Sequence, residues 1–462
     1  MNNQIIINEL GNIIQTYIAA AEDKNGSVIT FKNPTELKNI IQFEIKDKGV
    51  TENEFLELLN QYIHYSVNTS NKQFLNQLYA GFNFPAFIGE IITALTNTSM
   101  YTYEVAPVAT TVEKEMIGLM NQFCGFTEGD GIFVSGGSNA NLVAMFTARN
   151  QIAPATRFSG YNASLNLTAF INEQAHYSFE TAANIIGIGA KSVIKVKSTE
   201  TGSICPIALE NAILESKAKG ETPFFVGATC GTTMLGAYDP LEPLAAICKK
   251  HQIWLHADGS FGGSLILSKK YNTPMKGIEL VDSFAWNPHK LMNIPLICSA
   301  LLVKKKGVLQ QNITDINTNY IFHEIDNIED LGKKSIQCGR RVDAVKLWFA
   351  WKYFGLAGYE ARIDNIIEMA KYAASIIESN EHLELLAERQ SFSVCFRYKA
   401  PAEKNANEFN LALREQLRKS GKSMVNYGYL GDKLAIRLIT ANGELDKADI
   451  DQFFNNLLSC CH

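Results

Sequence analysis

The first part of the chain carries apolar residues at helical spacing. One set contains Ile13, Ile14 and Tyr17, and a second set lies between Phe55 and Ile63. Side chains three or four positions apart share one face of a helix, so this spacing predicts helices joined by polar links. These stretches contain no grouping of residues that indicates chemistry. We therefore expect residues 1–75 to form an N-terminal helical segment.

From Gly131 onward the pattern changes to short apolar runs that alternate with helical stretches. The predicted strands are 131–134, 168–171, 193–196, 224–228 and 253–258. The predicted helices between them are 139–148, 206–219 and 240–250. Repetition of strand, helix and strand requires crossover connections, which are right-handed and give a mostly parallel sheet with helices on both faces. The fold class predicted for a large domain over 76–340 is therefore α/β.

The last part of the chain has a different rhythm. A long helix is predicted through Trp348 and Trp351, and helices then alternate with the apolar strands 393–398 and 434–439. This order is typical of an α+β arrangement in which strands and helices form one small layer each. We expect a small C-terminal α+β domain over 341–462.

Two of the predicted strands end on residues that carry chemistry. One strand ends at Asp258, and the apolar run 282–286 leads into a turn that contains Pro288 and Lys290. Pro288 excludes a helix at this point, so the turn is predicted to be ordered and also to present Asn287 and His289. An aspartate and a lysine at two strand ends suit pyridoxal phosphate. A lysine holds the aldehyde of this cofactor covalently, and a carboxylate keeps its ring nitrogen protonated.

A glycine-rich turn at another strand end is suited to an anion. Gly137 and Ser138 lie between a predicted strand and a predicted helix. Such a turn offers backbone N–H groups and the positive end of the helix dipole, and the phosphate of the cofactor is the expected ligand. The hydroxyl groups of Thr233 and Ser260 also follow strand ends and are expected to line the cofactor.

Composition and charge exclude several other classes of protein. The 462 residues have a formal net charge of −5 and no long run of Lys or Arg, so a nucleic-acid partner is not expected. The nine cysteines are scattered without zinc-ligand spacing or a disulfide framework, so no metal site is expected. No apolar stretch reaches the roughly 18–20 residues that span a bilayer, and the start of the chain lacks a signal-peptide pattern. We expect a cytoplasmic protein that binds neither a metal ion nor a membrane.

The residues around Lys290 resemble those of a known family. The motif Trp-Asn-Pro-His-Lys at 286–290, followed by the apolar run 295–303, is similar to the group II pyridoxal-phosphate-dependent amino acid decarboxylases. Within that group it looks like the branch of glutamate, cysteine sulfinate and aspartate decarboxylases, from about Phe74 to the C-terminus. The resemblance implies the type I aspartate aminotransferase fold, pyridoxal 5'-phosphate as cofactor, a small acidic amino acid as substrate and a homodimer.

The resemblance also implies roles for individual residues. His176, in Glu-Gln-Ala-His-Tyr-Ser, matches the histidine that stacks on the pyridine ring, and Tyr320, in the loop 312–324, matches the tyrosine that gives a proton to the product. Arg437 matches the arginine that binds a substrate carboxylate. The expected catalytic residues are therefore Lys290, His176, Asp258 and Tyr320. The expected cofactor-binding residues are Gly137, Ser138, His176, Thr233, Asp258, Ser260, Asn287, His289 and Lys290.

Two further motifs bear on the choice of substrate. Gln77 and Tyr79 lie in Asn-Gln-Leu-Tyr-Ala-Gly, and Ser99 ends Asn-Thr-Ser. Glutamate decarboxylases resemble Asn-Gln-Leu-Ser-Thr-Gly and Asn-Thr-Asn here, which leaves room for a longer acidic side chain. Tyr79 fills that room, and the side chain of Ser99 is shorter than the amide side chain of the asparagine in that motif. Aspartate or cysteine sulfinate is therefore expected to be a better substrate than glutamate. The sequence does not distinguish the two shorter substrates, because each carries its acidic group one methylene from Cα.

Two other functions are compatible with this fold class. One is a different pyridoxal-phosphate reaction, such as transamination or aldol cleavage, and the other is a non-catalytic binding protein. The Trp-Asn-Pro-His-Lys context of Lys290 argues against the first, and the presence of every chemical residue argues against the second. One departure from the family pattern is Gly259-Ser260 where relatives have two alanines after the aspartate. Ser260 then places a hydroxyl group close to the cofactor.

Overall fold

Two separate sheets contain the strands of this protein. The computed structural model describes residues 3–23, 26–313, 320–322 and 330–461. The strands in these residues are β1 Phe74–Leu75, β2 Asp130–Val134, β3 Leu167–Asn172, β4 Val193–Val196, β5 Thr222–Thr229, β6 Trp254–Gly259, β7 Ser283–Trp286, β8 Ser299–Val303, β9 Leu383–Leu385, β10 Ser393–Tyr398, β11 Met424–Leu430 and β12 Lys433–Ile439.

Three of the described helices begin at a residue that forms a capping box. Asn33, Thr51 and Asp446 each accept backbone N–H groups of the first turn in a capping box, which satisfies donors that the helix leaves open. The helices are α1 Asn3–Glu22, α2 Pro34–Ile40, α3 Glu52–Tyr65, α4 Phe84–Thr96, α5 Pro107–Cys124, α6 Gly137–Ile152, α7 Thr156–Ser159, α8 Ser178–Ile185, α9 Pro206–Ala218, α10 Leu241–His251, α11 Val308–Ile313, α12 Asp343–Ser379, α13 Ala406–Ser420 and α14 Lys447–Leu458.

The larger sheet has seven strands in the order β2-β8-β7-β6-β5-β3-β4. The pairs β3–β4, β3–β5, β5–β6 and β6–β7 are parallel, whereas β8 is antiparallel to both β2 and β7. Parallel strands covered on both faces are apolar throughout, which explains why the sequence shows them as continuous apolar runs. No crossover helix separates β7 from β8, and β8 therefore returns in the opposite direction. The predicted α/β class with a mostly parallel sheet is confirmed.

The chain divides into two compact units. One contains residues 83–367 and holds the seven-stranded sheet. The other joins residues 1–82 to residues 368–462, so the N-terminal helices share a unit with the C-terminal part of the chain. Its five-stranded sheet has the order β1-β11-β12-β10-β9, in which β1 pairs parallel to β11 and the other neighbours are antiparallel. The division into domains 1–75, 76–340 and 341–462 stays a prediction, because compact packing does not test independent folding.

In the core of the 83–367 unit, aromatic side chains of a helix and a strand of the large sheet pack together. Phe179 of α8 and Phe225 of β5 are fully buried, with ring centroids 6.1 Å apart. Gly227 makes room for this packing, since a Cβ there would lie 2.9 Å from the Phe179 ring. Burial of one such aromatic side chain contributes about 1.5–3 kcal/mol to the stability of the fold.

Among the described residues, no helix combines the length and apolar character needed to cross a membrane.

Candidate active site

A cavity of about 210 Å³ lies where β5, β6 and β7 reach their C-terminal ends. This is the edge at which parallel α/β sheets bind ligands. The nine residues predicted to bind the cofactor all line it: Gly137, Ser138, His176, Thr233, Asp258, Ser260, Asn287, His289 and Lys290. Four further residues line it as well: Asn141, Thr229, Gly231 and Phe261.

Lys290 is presented by a tight turn directly after β7. The Lys290 N–H donates to the Asn287 carbonyl at 3.0 Å, and the His289 N–H donates to the Cys298 carbonyl at 3.2 Å. The predicted ordered turn after a strand is therefore confirmed. Burial lowers the pKa of His289 to about 3, so this ring is neutral and is held by a contact of 2.7 Å between its Nδ1 and the Cys298 carbonyl oxygen. The Lys290 ammonium lies 5.8 Å from the centre of the Phe261 ring.

Asp258 is held as a buried carboxylate near the end of β6. Its Oδ1 accepts the Ser260 N–H at 3.0 Å, and its Oδ2 accepts an amide N–H of Asn141 at 2.8 Å. Burial alone would raise the pKa of Asp258, but the hydrogen bonds from Ser260 and Asn141 outweigh it and hold the pKa below its ordinary value. The side chain is 5% exposed and ionised at neutral pH. A fixed negative charge of this kind stabilises a cationic partner.

Gly137 forms the first turn of α6 at the wall of the cavity. A Cβ at this position would collide with the Ser260 hydroxyl and lie 2.8 Å from the Asn287 amide nitrogen. Gly136 precedes it with a φ of 117°, a conformation that other residues rarely adopt. The two glycines therefore serve different purposes: one permits the turn, and the other lets three segments of chain approach closely.

His176 lines the cavity from the turn between β3 and α8. Its Nδ1 lies 2.9 Å from the Ser178 hydroxyl and accepts the Ser178 N–H at 3.2 Å. Burial lowers the pKa of His176, Asp258 opposes this and Lys290 adds to it, so the ring is neutral at pH 7. A neutral imidazole on a cavity wall can stack on an aromatic ligand without opposing a cationic ring.

Thr229, at the end of β5, tests whether these residues fit pyridoxal phosphate. Its hydroxyl group is buried and has no hydrogen-bond partner within the described part of the chain. A buried polar atom of this kind on a cavity wall indicates a polar ligand. The cavity also supplies an amine for an aldehyde, a carboxylate for a ring nitrogen and the start of a helix for a phosphate. The residues present therefore fit the cofactor.

Ser99 and Tyr320 have predicted roles and belong to the 83–367 unit. Neither is among the described residues that line this cavity. The Ser99 hydroxyl accepts the Arg340 N–H at 3.1 Å, which gives it a structural contact of its own. Tyr320 is 80% exposed. Most of its predicted catalytic loop, residues 314–319 and 323–324, lies outside the described residues.

The remaining predicted substrate residues belong to the other compact unit, which is described by itself. Arg437, on β12, is 4% exposed, and its guanidinium donates to the Asn76 carbonyl at 3.5 Å. Tyr79 is half-buried, with its ring 6.3 Å from that of Phe74, and Gln77 is also half-buried.

Sequence reasoning missed Asn141 and His256, although each had a signal. Asn141 lies four positions after Gly137 on α6, and such residues share a helix face. His256 lies two positions before Asp258 on β6, and alternate residues of a strand point to the same side. Both signals require knowing which face of the element meets the cofactor, which the sequence does not show.

Comparisons with known proteins show the family to which this chain belongs. The pyridoxal-dependent decarboxylase conserved domain matches residues 34–399. Over 97% of its length, the chain is 38% identical to an acidic amino acid decarboxylase of Xenopus tropicalis, 89% of which is covered. It is 37% identical to the cysteine sulfinic acid decarboxylase of Mus musculus, with 97% and 94% covered. The crystal structure of mouse CSAD in apo form has a TM-score of 0.95 at 35% identity, covering all of this chain and 98% of that one.

These matches extend over nearly the whole chain and include the strand ends that build the cavity. The predicted resemblance and the predicted cofactor are both confirmed. The chain belongs to the pyridoxal-dependent decarboxylase family, and it is an amino acid decarboxylase that uses pyridoxal phosphate.

Proposed function

We propose that this enzyme removes the α-carboxylate of a short acidic amino acid, converting aspartate to β-alanine or cysteine sulfinate to hypotaurine. The observation that carries this proposal is Arg437, a guanidinium group that is 4% exposed on β12. A buried guanidinium suits two-point binding of a carboxylate or sulfinate. The names of the two relatives, an acidic amino acid decarboxylase and a cysteine sulfinic acid decarboxylase, support the same class of substrate.

The cavity residues receive the following roles in this proposal. Lys290 holds the cofactor covalently, and Asp258 balances the charge of its ring nitrogen. The backbone N–H groups of Gly137 and Ser138 at the start of α6 bind the phosphate. His176 covers one face of the ring, and its neutral state supports this role. The rest of the cofactor is lined by Thr233, Ser260, Asn287 and His289.

Selection of the bond that breaks depends on orientation. Pyridoxal phosphate, when bound, accepts the electron pair that the departing carboxylate leaves on Cα. In this proposal Arg437 would bind the side-chain acid group of the substrate, which would leave the α-carboxylate as the group that departs. Orientation of this kind can lower a barrier by roughly several kcal/mol. Lys290 is then the basic group placed to carry a proton to and from the substrate amine.

The choice among acidic substrates is expected to depend on Tyr79 and Ser99. We predict that aspartate or cysteine sulfinate exceeds glutamate in kcat/KM. Because one methylene in a packed pocket changes the barrier by about 1–3 kcal/mol, the double change Tyr79→Ser with Ser99→Asn should narrow the ratio by roughly tenfold or reverse it. Carbon dioxide release from the three amino acids, measured side by side, tests this.

The matched control is Tyr429→Ser, the same substitution at a tyrosine that is 57% exposed on β11. This control should leave the substrate ratio unchanged. A wild-type preference for glutamate would instead make the protein a glutamate decarboxylase that forms 4-aminobutyrate. If Tyr429→Ser also lost the preference for the shorter substrates, the change in the substrate ratio would reflect the stability of the protein rather than the shape of the substrate pocket.

Tyr320 is proposed to return a proton to Cα after carbon dioxide has left. Tyr320→Phe should therefore still release carbon dioxide but form more aldehyde or ketoacid by-product, with the substrate's amino group left on the cofactor and the cofactor lost in this aminated form, because protonation at Cα becomes slow. Chromatographic product analysis gives the ratio. Tyr353→Phe, a change at a tyrosine that is 72% exposed, serves as the control. An unchanged product ratio at full activity would restrict Tyr320 to a surface role.

The proposal also includes a homodimer. Helix α1 exposes three large apolar side chains, Ile5, Ile7 and Leu10, with exposed fractions of 51%, 60% and 43%. Exposed apolar side chains of this size are typical of a surface that a second chain covers. Sedimentation equilibrium of the active enzyme should give twice the chain mass of 51.2 kDa, and a fully active monomer would refute this part of the proposal.

A cytoplasmic location is the last part of the proposal. None of the nine cysteines, all of which lie in the described residues, forms a disulfide, as is typical of proteins that work in a reducing compartment. Cell fractionation with detection of the native protein tests the location, and recovery from an exported fraction would contradict it.

A further inference from the structure

Asn141 links two ionisable groups through the two ends of its side-chain amide. Its Nδ2 donates to Asp258 Oδ2 at 2.8 Å, and its Oδ1 lies 3.0 Å from His256 Nε2. An ionised carboxylate can only accept hydrogen bonds, so the amide must turn its nitrogen toward Asp258. The amide oxygen then faces His256, whose Nε2 must carry a proton. Asn141 is 1% exposed, so water does not offer an alternative partner.

The same reasoning assigns the direction of the hydrogen bond at the other ring nitrogen of His256, Nδ1. Burial lowers the pKa of His256 to about 4, so at pH 7 the ring is neutral and its Nδ1 is an acceptor. The Ser283 hydroxyl, 2.8 Å away, therefore donates to Nδ1. Trp254 Nε1, which can only donate, gives its proton to the Ser283 oxygen at 2.8 Å. In this series of hydrogen bonds, from Trp254 through Ser283, His256 and Asn141, every donated hydrogen points toward Asp258.

A branch of the same network reaches His176. The amide nitrogen of Asn141 also donates to the Ser178 oxygen at 2.9 Å. The Ser178 hydroxyl is then directed to His176 Nδ1 at 2.9 Å, which also accepts the Ser178 N–H at 3.2 Å. Because Nδ1 accepts from both donors, the single proton of the neutral ring lies on Nε2.

We infer that Asn141 is a positioning residue, whose amide holds the Asp258 carboxylate as an acceptor and fixes the proton of His256 on Nε2. Its second amide hydrogen directs the Ser178 hydroxyl to His176 Nδ1, which the Ser178 backbone N–H also holds as an acceptor. The inference rests on the proposed cofactor roles of Asp258 and His176. No part of it depends on which amino acid is the substrate.

The direction of the network can be measured without substrate turnover. In protein labelled with ¹⁵N-histidine, long-range ¹H–¹⁵N spectra distinguish the two neutral tautomers and the cation. The variants His176→Gln and His256→Gln assign the two signals among the eight histidines. We expect both rings at pH 7 to be neutral with the proton on Nε2, in the cofactor-free and the loaded enzyme. A proton on Nδ1 of His256 would require the reversed amide and would overturn the inference.

The contribution of Asn141 itself is measured with Asn141→Leu, which is similar in size but has no polar atoms. Asn150→Leu is the matched control, since Asn150 is also 1% exposed on α6 but bonds to Arg149 and to the Asn312 carbonyl. We expect Asn141→Leu to weaken cofactor binding by about tenfold or more, because Asp258 loses a hydrogen bond to its charge. It should also move the His256 ¹⁵N shifts toward those of mixed tautomers, because the Nε2–H group of His256 loses the Asn141 oxygen. Asn150→Leu should lower the melting temperature without either effect.

Asp258→Asn serves as the reference that separates two kinds of failure. If it weakens cofactor binding while Asn141→Leu does not, Asn141 is not a positioning residue. If neither variant changes cofactor binding, the cofactor role of Asp258 has failed instead, and the inference fails with it. Equal effects of Asn141→Leu and Asn150→Leu on both readouts would reduce Asn141 to a structural residue. Should both leucine variants fail to fold, the tautomers of the wild-type enzyme still decide.

Discussion

Replacing Lys290 by alanine is expected to reduce decarboxylation by roughly 10³-fold or more. The change removes the covalent attachment of the cofactor and a positioned proton carrier, and proton transfer alone contributes about 10²–10⁴-fold. The turn itself should persist, because its hydrogen bonds use the backbones of Asn287, His289 and Cys298 rather than the lysine side chain. Steady-state carbon dioxide release measures the loss. Borohydride reduction of the wild-type enzyme, followed by peptide mass mapping, should place the pyridoxyl group on Lys290.

Lys276→Ala provides the comparison, since the side chain of Lys276 is 71% exposed and pairs with Glu242 at the surface. This variant should retain wild-type activity and cofactor content. A pyridoxyl label on another lysine, or substantial activity in Lys290→Ala, would refute the assignment of Lys290.

Asp258→Asn is expected to reduce kcat by about 10²–10³-fold, since breaking a buried charge pair costs about 3–5 kcal/mol. The substitution keeps the shape of the side chain and its hydrogen bond from Ser260 but removes the negative charge. The cationic form of the cofactor ring nitrogen then loses its partner. Activity and the dissociation constant for pyridoxal phosphate should both worsen, and both can be measured on the same preparation.

Asp282→Asn tests whether the loss of any nearby carboxylate, rather than the loss of Asp258 in particular, lowers activity and cofactor affinity. Asp282 is a neighbouring carboxylate before β7 that accepts the Leu255 N–H at 2.8 Å, and it does not line the cofactor cavity in the described structure. Its loss should affect stability more than cofactor affinity. Near-normal activity of Asp258→Asn would show that the ring nitrogen does not need a carboxylate here.

Local patterns were sufficient to predict where the cofactor residues lie. Strands β4 and β10 have the predicted bounds, and β6 and β7 end where Asp258 and the Lys290 turn were expected. The reason is that parallel strands place their C-terminal ends along one edge, so residues far apart in sequence meet there. The nine expected cofactor residues consequently share one cavity. Their individual roles stay predictions.

Other parts of the fold depend on pairings that no local pattern contains. Strand β1 has only two residues, Phe74 and Leu75, and it exists because it pairs with Met424 and Val425 of β11. The apolar pattern of the sequence predicted no strand at this point. Strands β9 and β11 were likewise not predicted. Strands as short as β1 and β9 are stabilised by their neighbours rather than by their own residues, which explains why these two were missed. Strand β11 is longer, but it contains Asn426 and Gly428, residue types that are uncommon in strands.

The α/β class, the family and the strand ends that carry Asp258 and Lys290 can be predicted from the sequence. They follow from apolar runs, turn residues and motifs, which act over a few positions. The protonation state of the site, in contrast, depends on contacts that form only when the chain is packed. Asn141 meets Asp258 across 117 positions and His256 across 115. A hydrogen-bond direction depends on which donors and acceptors meet in space, and that is a property of the packed chain rather than of any segment.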